Sequence, residues 1–115
     1  MSEQMLLDQA MLHQLKDLLG EKFETLVTAF IDDGGKRLER LSLAVTGPEF
    51  HIVRAEAHGL KGSCRNIGAN ALADICADIE NAAQKEDASN LAPNLASALQ
   101  MFADVCEQLR RVNTP

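Results

Sequence analysis

His58, Lys61 and Gly62 are the residues of this chain whose types and spacing suit chemistry. Neutral imidazole is a good nucleophile near pH 7. Lys61 stands at i+3 from His58, within reach of any group attached to the ring. Gly62 stands at i+4. Helical side chains lean toward the N-terminus, so a side chain at 62 would overhang His58. A glycine leaves the imidazole open, at a cost of about 1 kcal/mol in a helix interior. Ser63 adds a hydroxyl one residue on. An open histidine beside a fixed ammonium suits acceptance of a phosphoryl group, whose equatorial oxygens carry negative charge.

That chemistry requires a helix with two separate faces. At about 100° per residue, Val53, Ala57, Leu60, Cys64 and Ile67 fall within about 80° of one another and form a core stripe. His58 lies about 160° from Leu60, so it points to solvent when the stripe points inward. Arg54, Lys61, Gly62 and Arg65 share that outer face.

The rest of the chain supplies the scaffold. It has 115 residues, enough for one domain with a single core. Ala and Leu number sixteen each, against fourteen Val, Ile and Thr together, a balance that favours helices. Periodicity and punctuation predict helices over about 8–19, 21–45, 48–67, 70–86 and 91–112. Asp8 is the expected cap of the first helix and Gly20 its end. Met11, Leu12, Leu15, Leu18 and Leu19 form its apolar face. Gly34-Gly35 predicts a kink in the second helix. Thr46-Gly47-Pro48 predicts a stop and restart, with Pro48 in the first turn of the third helix. Leu91, Leu95, Leu99, Phe102, Val105 or Cys106, Leu109 and Val112 form the inner face of the last helix. Short loops make successive helices antiparallel. The expected fold is all-α, an up-down-up-down four-helix bundle with a short additional N-terminal helix.

Composition excludes several classes. Eleven Lys and Arg against seventeen Asp and Glu give a net charge of −6, which does not attract an extended phosphate backbone. Four Phe, with no Trp or Tyr, leave little for base stacking. No apolar run reaches the roughly 20 residues needed to span a bilayer, and the start lacks a signal-peptide pattern. Cys64, Cys76 and Cys106 are odd in number and widely spaced, as expected of small buried hydrophobes in a reducing cytosol. No GxxxxGK[ST] string is present, and Gly59–Ser63 has no strand before it, so no nucleotide site is expected. No metal site is expected either, because the inward Glu-x-x-His pairs of di-iron bundles are missing.

His58-Gly59-Leu60-Lys61-Gly62-Ser63, followed by Asn66-Ile67-Gly68-Ala69, resembles the signature of histidine-containing phosphotransfer (HPt) domains. The resemblance spans nearly the whole chain, including Leu12, Leu15, Phe30, Arg37-Leu38 and Leu72…Cys76…Ile79-Glu80. It implies that His58 is phosphorylated at Nε2, that Lys61 balances the phosphoryl charge and that Gly62 admits a partner's aspartyl phosphate. It implies that Glu80 hydrogen-bonds the imidazole. Some relatives carry an arginine one turn later, where this chain has Gln84. The implied partners are response-regulator receiver domains and a hybrid sensor histidine kinase, with Mg²⁺ held by the receiver and no cofactor of the chain's own. Arg54, Ser63 and Arg65 are the expected partner-binding residues, joined by Met5, Leu6 and Leu7 as an exposed apolar cluster. A cytoplasmic, monomeric phosphocarrier is the expectation, and the sequence leaves open a free-standing protein or a domain of a hybrid kinase. The competing reading is a helical adaptor that binds a receiver or kinase without being phosphorylated.

Overall fold

Local chemistry sets where each helix starts and stops. The structure, a computed structural model, describes residues 6–113. Its helices are α1 (Gln9–Leu19), α2 (Lys22–Thr46), α3 (Phe50–Ile67), α4 (Asn70–Gln84) and α5 (Leu91–Asn113). Asp8 caps α1, its Oδ1 accepting the Met11 N–H at 3.0 Å and so satisfying an otherwise unpaired donor. Pro48 lies outside α3, which begins at Phe50. The intervening turn is closed by Gly47 and Glu49, whose N–H groups both donate to the Ala44 carbonyl. α4 stops at Gln84, short of the expected 86, because Glu86 turns the backbone to a φ of 54°. Asp87 then accepts both the N–H and the hydroxyl of Ser89.

α3 packs on α4 and α2, and α5 closes the bundle against α4 and α2. The short connections make these four helices antiparallel in sequence order. α1 lies across one end. The Asp8 N–H donates to the Gly68 carbonyl at 2.9 Å, and Lys16 Nζ donates to the Val112 carbonyl at 2.8 Å. Gly68 is required twice over. Its φ is +82°, and a Cβ there would stand 3.2 Å from Asp8 Cβ and 3.3 Å from Met11 Sδ.

The core departs from the sequence pattern in four places. Leu6 and Leu7 are 6% and 3% exposed and belong to the core, so they are not a docking patch. They precede α1, and the bond from Asp8 to Gly68 draws this segment onto the bundle. Met5 lies outside the described residues. Leu18 is 81% exposed, because α1 meets the bundle along one narrow face on which only Leu12 is fully buried. Leu99 is exposed, and Ala98 takes the interior position beside it. α2 runs unbroken through Gly34-Gly35. Gly34 is buried against Phe102, where a Cβ would sit 2.5 Å from the ring's Cε1. This glycine makes room for the Phe102 ring, whose centroid is 5.7 Å from that of Phe30.

Candidate functional site

Val53, Ala57, Leu60, Cys64 and Ile67 are all buried, so the core stripe fixes the rotation of α3. His58 therefore stands outward, its side chain 69% exposed. Arg54, Gly62 and Arg65 are exposed, and Lys61 is half-buried. A Cβ built on Gly62 would meet nothing within 4 Å. The space above the ring is thus open in the protein itself.

α4 supplies the group that holds the ring. Ile79 and Cys76 are buried, which places Glu80 at the seam between α3 and α4, its side chain only 14% exposed. Its Oε2 is 2.8 Å from His58 Nδ1, and its Oε1 is 2.6 Å from Lys61 Nζ. The Lys61 ammonium, and then the His58 ring, hold the Glu80 carboxyl below the usual carboxylate range, against the opposing effect of burial. An ionised carboxylate only accepts, so Nδ1 carries the proton and donates. Nε2 is then left with the free lone pair. One carboxylate thus fixes the tautomer and orientation of the imidazole while pinning the neighbouring ammonium.

His58 opens into a groove of about 420 Å³ lined by His51, Arg54, Ala55, His58 and Glu80. His51 and Arg54 also line a second groove, which continues toward Gln84. The thiols behind this face are buried and unpaired. The neighbouring Cys76 thiol and burial push Cys64 up, and burial pushes Cys106 up to about 11. Both stay protonated and unreactive.

The sequence model of the Hpt domain matches residues 25–112. The chain belongs to the Hpt domain family. Hpt domains carry phosphoryl groups on histidine in phosphorelays and work with receiver domains and histidine kinases; they are phosphocarriers rather than enzymes in the ordinary sense. The histidine-containing phosphotransfer protein B (HptB) of Pseudomonas aeruginosa PAO1 is similar in structure, with a TM-score of 0.90 and 25% identity over 95% of each chain. The maize histidine-containing phosphotransfer protein ZmHP2 gives 0.83 and 26% identity over 93% of this chain and 88% of its own. No curated protein matches the chain.

Within this Hpt domain the expected site residues separate into groups. His58, Lys61 and Glu80 form one linked cluster, with Arg54 beside it on the groove wall. Arg65 turns to Asp74 at 3.5 Å. Ser63 lies on the other side of α3, in a groove of about 270 Å³ shared with Phe30 and Asn66. A second charged cluster escapes sequence reasoning. Glu56 accepts from Arg37 at 3.2 Å and from Arg40 at 2.8 Å, and Arg37 also pairs with Asp33 at 3.0 Å. Arg37 passes over Gly59, where a Cβ would collide with the guanidinium. A helix-interior glycine beside the histidine was the available signal, but its partner lies on another helix.

Proposed function

We propose that His58 is the residue of this Hpt domain that takes the phosphoryl group, at Nε2. The observation that carries this is the bond from His58 Nδ1 to Glu80, which leaves the other ring nitrogen as the exposed nucleophile. In the transfer, the Nε2 lone pair attacks the phosphorus of a receiver's aspartyl phosphate. The P–O bond breaks and returns its electrons to the aspartate carboxylate. The ring gains positive charge, which the ionised Glu80 offsets through the Nδ1 proton. The reverse sequence passes the group to an aspartate of another receiver. The receiver brings the Mg²⁺ and most of the transition-state charge stabilisation, and this chain brings no cofactor. Lys61, held in place by Glu80, brings its ammonium toward the charge on the phosphoryl, and Gly62 keeps the approach clear. Arg54 and Arg65 meet the acidic rim of the receiver's pocket. The protein acts as a monomer in the cytoplasm, downstream of a hybrid sensor kinase.

Incubation with a phosphorylated receiver domain tests this reading. Acid-labile, base-stable phosphate is expected on His58, with none in His58→Gln. Equal labelling of that variant would overturn the assignment.

A further inference from the structure

Resting on that reading, the site leaves a question of charge. The phosphoryl group brings two negative charges to an acidic protein, and Lys61 is already committed to Glu80 at 2.6 Å. Arg65 faces Asp74, and Arg37 and Arg40 face Glu56. Arg54 is exposed and has no carboxylate partner among the described residues.

Arg54 is also on the side where the ring lies. A helical side chain covers the turn N-terminal to its own Cα, so the His58 ring extends over Arg54 and Ala55. The groove confirms the direction, since its wall is built from Arg54, Ala55 and His51 together with His58 and Glu80. Ala55 is small and keeps the floor of this groove low. Lys61 is not part of its lining. We infer that Arg54 holds the phosphoryl group on His58 from the N-terminal side of α3, as a second cation that complements Lys61. Arginine suits the task, because its planar fork presents parallel N–H donors to two phosphoryl oxygens.

This role differs from partner docking, and a donor without a docking surface separates the two. Phosphoramidate is such a donor. The Nε2 lone pair attacks its phosphorus, the P–N bond breaks, and ammonia leaves with the electron pair. The protonated ring remains hydrogen-bonded to Glu80, so charge and atoms balance. Occupancy of His58 at a fixed ratio of phosphoramidate to ammonia, together with the phosphohistidine ³¹P shift, reads the stability of the phosphoryl group directly.

Arg54→Gln is expected to lower occupancy at half-saturating donor by about three- to fivefold in the underlying equilibrium constant, and to move the ³¹P resonance. Arg54→Lys should recover most of both, with the helical circular dichroism of all three proteins unchanged. An Arg54→Gln variant that matches the wild type with phosphoramidate overturns the inference, even if its transfer from a receiver is slow, since that result assigns Arg54 to docking. Equal losses in Arg54→Gln and Arg54→Lys overturn it as well, because charge would not be the cause. A wild-type protein that takes no phosphate on His58 overturns the functional reading and this inference with it.

Discussion

Two glutamates bridge helices in this bundle, and they are used differently. Glu56 and Glu80 are almost equally shielded, their side chains 15% and 14% exposed. Each is held by two nitrogen-bearing side chains. Glu56 sits in the seam between α2 and α3, with an arginine on each oxygen. Glu80 sits in the seam between α3 and α4, with a histidine on one oxygen and a lysine on the other. Two permanently charged guanidiniums make a closed clamp with nothing left to react. Replacing one cation with imidazole changes the outcome, because the ring offers a second nitrogen to solvent. The glycines follow the same division. Gly59 gives Arg37 room to close the clamp, whereas Gly62 borders empty space.

The largest effect should come from filling that empty space. Gly62→Gln is expected to lower the rate of transfer from a receiver by about a hundredfold, the scale set by misplacing reacting groups. It should also raise stability by up to about 1 kcal/mol, because glutamine is a better helix former and no neighbour is displaced. Stopped-flow transfer and chemical unfolding measure the two responses. A variant that is more stable and transfers normally would show that access above His58 is not limiting.

Glu80→Gln ranks next. It keeps an acceptor for Nδ1 but removes the charge, so transfer should slow by roughly tenfold, the value of one charge-assisted hydrogen bond. The substitution also changes the response to acid. Glu80 has a lower pKa folded than unfolded, so below about pH 4.3 the unfolded chain takes up the proton first. Glu80 therefore stabilises the fold above that pH, and its contribution disappears as pH falls through the lower folded value. Acid unfolding of Glu80→Gln should show a shallower pH dependence than the wild type. Superimposable curves would remove Glu80 from the acid transition.

What could be read in the sequence divides along the same line, between features local to one helix and features shared by two. The core stripe of α3 and the outward His58 follow from periodicity alone, since both depend on one helix wheel. Glu80 was accessible through the resemblance, but its grip on Lys61 was not, because no local pattern pairs residues of different helices. Gly34 carries the same lesson. Its effect within α2 suggested a kink, while its actual role depends on a phenylalanine far along the chain. Leu6 and Leu7 looked surplus to a short helix because the bond from Asp8 to Gly68 has no signature in sequence. Glu56 and its arginines went unread for the same reason.

The closed clamp should affect stability without affecting transfer. Glu56→Ala removes the partner of Arg37 and Arg40, both partly solvated, so a loss of about 1 kcal/mol is expected. That corresponds to a fall of about 4 °C in Tm. Transfer rates should stay at the wild-type value. A tenfold slowing, like that expected for Glu80→Gln, would mean that the two seams act as one unit.

The smallest effect is the most diagnostic of why Gly59 is there. In Gly59→Ala the new methyl displaces the far end of Arg37, and the bond to Glu56 is lost. Alanine restores about 1 kcal/mol of helix propensity at the same time. The two contributions oppose each other, so the net change should lie within about 0.5 kcal/mol. In a Glu56→Ala background Arg37 no longer has that bond to lose. Gly59→Ala should then stabilise by close to the full propensity difference, about 1 kcal/mol. The difference between the two backgrounds in a double-mutant cycle measures the coupling between Gly59 and the clamp. Equal effects in both would show that Arg37 reaches Glu56 by another path and that the glycine serves only to keep the surface beside His58 low.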